Sequence, residues 1–201
     1  MEKKALKDAI LNSSLVFFKD APFQKVSTND IVTHAGVSKG LLFHYFKDKR
    51  TLYLTLYEHI WDNIKHHVLH DDQMNDPNLF VRLNHFFYSQ RAYLLHHSDE
   101  AQFLKRVHLT SDESIVKKRT HIYQSTQNQF YKRIFDHIDT GLFKSDLDLQ
   151  DAYKVLVWTL QRVVSDWEKS QKENNTHDAL TLLGDELAHY LKFFESLFLK
   201  A

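Results

Sequence analysis

The 201-residue sequence contains no cysteine. Disulfides and thiolate metal sites are therefore excluded, and a cysteine-free chain suits a reducing compartment. Glycine and proline are scarce, at four and two residues, so little interrupts a helix and long helices are expected. No apolar run approaches the length of a membrane span. Met1-Glu2-Lys3-Lys4 is basic but has no apolar segment behind it, so no signal peptide is expected and a cytoplasmic location is. There is no glycine-rich phosphate loop, nucleophile elbow or cysteine nucleophile, and catalysis is not expected. Net charge is missing too, with 26 Lys and Arg against 26 Asp and Glu.

Hydrophobic residues make up 43% and aromatics 13%, enough for a folded chain of one or two domains. The neutral total hides an asymmetry. Residues 1–50 hold nine Lys and Arg against five Asp and Glu, whereas the remaining 151 hold 17 against 21. A basic end on an acidic body is the footprint of a chain that touches phosphate at one end only.

Within that basic end, residues 27–49 read as two short helices joined by a tight turn. Ser27 or Thr28 can cap the first helix by accepting a bond from an unpaired amide. Ile31, Val32 and Ala35 give it an apolar face. Gly36 supplies the positive φ that ends it, Val37 plugs the angle, and Ser38 caps a second helix running to about Phe46. Leu42 and Phe46 point inward with Val37. Lys39, Gly40, Phe43 and His44 fall on another side. A phenylalanine there suits a surface that meets a base edge or a thymine methyl. Ser38 and Lys39 sit where recognition helices enter a major groove, and Gly40 lets backbone approach closely.

Ala35-Gly36-Val37-Ser38-Lys39-Gly40 followed by Phe43-His44-Tyr45-Phe46-Lys47-Asp48-Lys49 resembles the DNA-binding region of the TetR family of bacterial transcriptional regulators. The likeness begins at Ile10–Phe18 and covers about the first quarter of the chain. It implies an all-α protein. Residues 1–48 would form a three-helix helix-turn-helix DNA-binding domain, and residues 49–201 a helical effector-binding and dimerisation domain. It further implies a homodimer that reads a palindromic operator and is most often a repressor released by a small molecule. Thr28, Tyr45 and Lys49 match phosphate or backbone contacts, and Asn29 can reach a base or phosphate. Lys39, Gly40, Leu41, Phe43 and His44 match groove-facing positions. Leu41 and Phe43 lack hydroxyls that many members carry there, and Pro22 replaces a common glycine, which predicts a differently shaped turn.

The rest of the chain reads as helices too. Lys3–Lys19 forms the first, with Ser13 and Ser14 small enough for close packing, and Phe23 and Val26 close the three-helix core. Lys49 to about His70 forms a long helix with Leu52, Leu56, Ile60 and Ile64 as its inner stripe. A polar loop at 71–78 precedes Leu79–His97, and a shorter helix follows from Ser98 or Asp99 to Leu109. Thr110-Ser111-Asp112-Glu113 reads as a capping box for a helix to about Asp139, ended by Gly141. Asp146 or Asp148 caps a helix over about 149–172. After a linker at 172–176, Thr176 caps the last. Tyr190, Phe193, Leu197 and Leu199 widen that helix's stripe. The last two helices are therefore expected to pair with a second copy, with Gly184 allowing close approach.

Fourteen histidines raise a metal reading. His66 and His70 have the spacing of paired zinc ligands on one helical face, and His66-His67, His96-His97 and His108 lie near carboxylates in sequence. The plainer reading is solvated or half-buried histidine, and no metal or cofactor is expected. A di-iron bundle needs two Glu-x-x-His motifs, and only Glu186 with His189 has that spacing. Phe87, Tyr93, Phe103, Tyr123, Phe130 and Trp158 are core by default. They are also candidates to line a pocket for a largely apolar effector with a few polar anchors. The alternatives to a regulator are a helical ligand or metal sensor without DNA binding, and a helical enzyme.

Overall fold

The computed structural model describes residues 2–170 and 176–200. Their helices are α1 (Glu2–Phe18), α2 (Thr28–Ala35), α3 (Lys39–Phe46), α4 (Lys49–Leu69), α5 (Leu79–His96), α6 (Ser98–Leu109), α7 (Glu113–Phe135), α8 (Leu149–Ser170) and α9 (Thr176–Phe198). Among the described residues the only β-type pairing is one isolated bridge, Phe143 to Leu199, so the all-α class holds. No described helix is long and apolar enough to cross a membrane. The expected linker at 172–175 and the Thr176 side chain lie outside the described residues. The chain divides into two compact units, Met1–Ile64 with His97–Gln127 and Lys65–His96 with Asn128–Ala201.

In the first unit α1 packs on α2 and α6, and α2 on α3. Ser13 and Ser14 are buried as their size suggests. Ser13 Oγ meets His34 Nδ1 of α2 at 3.0 Å, and Ser14 Oγ donates to the Ile10 carbonyl at 2.7 Å. Phe18 is fully buried with its ring 4.8 Å from Tyr53 of α4, which lies 5.1 Å from Phe103 of α6. Each edge-to-face pair contributes about 0.5–1.5 kcal/mol beyond the area it buries. The end of α1 is also tied to α6 by polar groups. Arg106 donates to the Lys19 and Asp20 carbonyls at 2.7 and 2.9 Å, and Lys19 pairs with Asp99 at 2.7 Å.

Four positions depart from the sequence expectation. The α4 stripe is wider than the four-residue steps imply, because Tyr53, Leu54, Tyr57, Trp61 and Val68 are buried beside Leu52, Leu56, Ile60 and Ile64. Helix α7 is not opened by a Thr110 capping box. Asp112 Oδ1 accepts the Ser114 and Ile115 amides at 3.1 and 3.2 Å, since a carboxylate next to the first turn outcompetes a hydroxyl two residues further out. Helix α7 also ends at Phe135 rather than near Asp139. His137 takes a positive φ of 50°, and Gly141 lies in a separate short turn, Thr140–Leu142. Finally, Gly184 does not leave open room for a partner helix. A Cβ there would collide with the Arg91 side chain of α5, so this glycine serves α5–α9 packing within the chain.

The second unit is built on α5 against α9 and α8 against α9. Leu79, Phe80, Leu83 and Phe86 of α5 are buried, with Phe130 and Ile134 of α7, Leu156 and Leu160 of α8, and Leu187, Leu191, Phe194 and Phe198 of α9. Arg82 of α5 is a guanidinium within this largely apolar interior, at 2% exposed. Its guanidinium donates to the carbonyls of Asp76, Arg133, Ile134, Asp136 and His137. It thereby satisfies the orphan carbonyls that the early end of α7 creates. Lys144 does the same for α9, donating to Ser196 and Leu197 carbonyls at 3.2 and 2.8 Å.

Candidate nucleic-acid interface

Local chemistry shapes the α2–turn–α3 unit residue by residue. Ser27 is the cap, accepting the Asn29 amide at 3.1 Å, so Thr28 becomes the first residue of α2. Gly36 sits at φ 65°, ψ 30°, a left-handed geometry that costs a residue with a Cβ about 1–2 kcal/mol. Ser38 Oγ accepts the Leu41 amide at 3.2 Å and starts α3. Pro22 leads into a short 3-10 turn, Phe23–Lys25, closed by the Lys25 amide on the Pro22 carbonyl at 2.9 Å.

Helix α3 is two-sided. Leu42 and Phe46 are buried at 0% and 1%. Ser38, Lys39, Gly40, Phe43, His44 and Lys47 are exposed, while Leu41 and Tyr45 are half-buried. Phe43 stands out at 37% exposed, since a large ring left in water gains nothing for the fold. A Cβ on Gly40 would meet nothing closer than Ser38 Oγ at 3.9 Å, so no internal contact demands glycine there. Thr28 is half-buried and Asn29 exposed at the start of α2.

Lys49 behaves differently. Its ammonium donates to the Val26 and Gln24 carbonyls at 2.9 and 3.3 Å and lies 4.6 Å from the Phe23 ring centre. Burial lowers its pKa below the ordinary lysine value. The turn after α3 places Lys47 at φ 53°, and Asp48 then caps α4 through the Thr51 amide at 2.7 Å. That hydrogen bond holds the Asp48 carboxyl below the usual aspartate value. Lys47 is thus the exposed cation at this end of the helix, a distinction that charge counting alone does not make. Lys49→Ala is expected to destabilise the chain by about 1–2 kcal/mol, read in a urea titration, because two carbonyls and a ring face lose their cation.

The aromatic pocket candidates divide between the two units. Phe103 is fully buried in the first unit's core, and Tyr123 is half-buried in the same unit with its ring 5.4 Å from Trp61. Phe130 and Tyr93 are buried in the second unit, Phe130 against Phe86 at 4.9 Å and Tyr93 beside His67 at 5.4 Å. Phe87 is half-buried there against Phe86. Trp158 is 65% exposed on α8. His66 and His70 are exposed with ring centres 4.3 Å apart, and His96, His97, Glu186 and His189 are exposed. Among the described residues no group of three or more His, Asp or Glu could hold a metal ion.

An all-helical chain with two capped helices at a glycine turn, the second showing a polar and aromatic outer face, is a helix-turn-helix protein. Residues 10–56 match the profile of bacterial regulatory proteins of the tetR family, so the amino-terminal segment is similar to the DNA-binding region of that family. Its fold is similar to that of the fatty acid degradation regulator FadR from Bacillus halodurans, at 17% identity and a TM-score of 0.66, over 90% of this chain and 96% of that one. FadR from Bacillus subtilis, solved in complex with stearoyl-CoA, gives 15% identity and 0.64 over 89% and 96%. NalD, the secondary repressor of the MexAB-OprM multidrug efflux pump in Pseudomonas aeruginosa, gives 13% and 0.58 over 94% and 96%. At these identities the likeness is one of fold. The chain has the fold of TetR-family transcriptional regulators.

Proposed function

We propose that this chain is a dimeric, ligand-responsive, cytoplasmic regulator that binds a palindromic operator and leaves it when a small molecule binds. The exposed Lys39–Phe43–His44 face of α3 carries the proposal, since the fold itself has no use for it. Residues 1–48 act as the reading head and residues 49–201 as the effector-binding and dimerising body. In the groove, Lys39, Phe43 and His44 contact bases, with Ser38, Gly40, Leu41 and Asn29 alongside. Thr28 and Tyr45 hold phosphates. Lys47 supplies the free ammonium there, while Lys49 fixes the turn before α2.

Dimerisation is supported by the outer faces of α8 and α9. Val155, Trp158, Leu182, Phe193 and Leu197 are 47%, 65%, 66%, 51% and 45% exposed. Such a run of large apolar side chains marks an association surface. A groove of about 330 Å³ lies among Trp158, Arg162, Glu186 and Tyr190 on the same two helices. A second copy pairing its α8 and α9 there gives a four-helix interface. Two heads then read half-sites about 34–36 Å apart, or a multiple of that. A ligand releases DNA only by its differential affinity for another spacing.

Selection of bound duplexes from a random pool tests this, with light scattering alongside. The expected outcome is an enriched inverted repeat bound by a dimer. A monomer at micromolar concentration, or no enrichment, overturns it. Lys47→Ala is expected to reduce the salt dependence of binding by about one counterion for all sequences.

A further inference from the structure

In the first unit four aromatic rings from three helices close a circuit. Tyr57 and Trp61 of α4 are 6.3 Å apart between ring centres, Trp61 and Tyr123 of α7 5.4 Å, Tyr123 and His108 of α6 6.1 Å, and His108 and Tyr57 6.5 Å. All four contacts are edge-to-face. Trp61 is 7% exposed, yet its indole Nε1 is buried without a hydrogen-bond partner. Arg119 stands one turn before Tyr123 on α7, and its Nε is buried without a partner as well. Leaving a donor so placed is costly, and more so for a charged one.

Both orphaned groups are donors, and one is cationic. They call for an acceptor, and an anionic one satisfies both. His108 is no competitor for that anion's charge, because burial first and the Arg119 charge second depress its pKa to about 4. It stays neutral near pH 7. Arg119 also tends to lower the pKa of buried Tyr53 against the larger upward effect of burial, so its charge is felt across this interior. The carboxylate that caps α7, Asp112, is already taken by Ser114, Ile115 and Arg50. The rings of Tyr57 and Tyr123 each contact both Trp61 and His108, and aromatic surroundings favour a ligand with an apolar remainder over a fully hydrated ion.

We propose that Trp61, Arg119, His108 and the rings of Tyr57 and Tyr123 form the head-group site for a small organic carboxylate. This rests on the chain being ligand-responsive, and it names the chemistry of the effector. Arg119 and Trp61 Nε1 donate to the carboxylate, and the rings cover its apolar part. Helix α6 carries both His108 and Arg106, which grips the carbonyls at the end of α1. A ligand that resets α6 therefore pulls on the helix that backs the reading unit.

Isothermal titration calorimetry of the full chain with benzoate and with butyrate tests the site. Benzyl alcohol, butanol and inorganic phosphate serve as comparisons. At least one carboxylate is expected to bind with Kd of about 1 mM or lower, and its alcohol and phosphate at least about tenfold more weakly. Arg119→Gln should weaken the carboxylate by about tenfold or more. Trp61→Phe keeps the ring, loses the N–H and should weaken it severalfold, which preserves the test if Arg119→Gln fails to fold. No saturable binding of either carboxylate up to about 10 mM leaves the donors to solvent and overturns the proposal. Equal binding of the alcohol or of phosphate, or full affinity in a folded variant, overturns it too. DNA affinity measured with a pool-selected duplex separates the two levels. Arg119-dependent binding that leaves DNA affinity unchanged upholds the site and sinks ligand-driven release. Release by a carboxylate that survives Arg119→Gln does the reverse.

Discussion

Phe43→Asp is expected to lower DNA affinity by about a hundredfold or more, equivalent to about 2.7 kcal/mol, while leaving the fold in place. The two halves of that outcome have separate causes. Phe43 is 37% exposed and packs away from the buried Leu42 and Phe46, so a polar replacement stays within about 0.5 kcal/mol in stability. On the proposed reading of α3, the change removes an apolar contact to bases and brings a carboxylate among phosphates, where like charges repel. Phe43→Ala loses the contact without the repulsion, so it should fall between the two, near about tenfold. Binding isotherms on a selected duplex, with urea titrations of each variant, read both quantities. Unchanged affinity in a folded Phe43→Asp protein would mean that α3 presents some other face to DNA.

Arg82→Ala carries the largest expected effect on stability, about 3–5 kcal/mol, because it strips the partner from several buried acceptors. The guanidinium serves five carbonyls, four of them at the end of α7 and one at Asp76. Typical domains hold only about 5–15 kcal/mol in total, so this variant should lose much of its cooperative unfolding transition. Arg82→Lys should recover little, since one ammonium cannot reproduce the planar fork. Thermal and urea unfolding give the number. A loss under about 1 kcal/mol would show that solvent satisfies those carbonyls just as well.

Arg82 also shows where sequence reasoning stops. Its partners lie 51 to 55 residues away in the chain, apart from the carbonyl of Asp76, and nothing in an amphipathic pattern marks an arginine as interior. The early end of α7 follows from the same invisible contact, which is why a helix to Asp139 looked plausible. By contrast, Ser27, Gly36 and Ser38 were legible because capping is local: each acts on an amide or carbonyl within five residues. The two faces of α3 were legible for the same reason. For α4 the four-residue stripe was correct but narrow, because how many sides of a helix are covered depends on its neighbours. For Lys49 the resemblance implies a DNA-backbone contact, and its Gln24 and Val26 partners lie 25 and 23 residues back, beyond the reach of a local pattern. An aromatic side chain's type does not say which of two compact units its ring joins. The orphaned Trp61 and Arg119 donors lie on α4 and α7, so nothing in the local pattern links them.

Phe18 at the end of α1 rests against Tyr53, and Tyr53 against Phe103. The amino-terminal three helices therefore borrow their floor from α4 and α6. Anyone wishing to transplant this specificity into another regulator would find a cut after residue 48 too early, because it leaves that floor behind. A working transplant has to bring along the partner rings from both longer helices, or rebuild equivalent ones in the host.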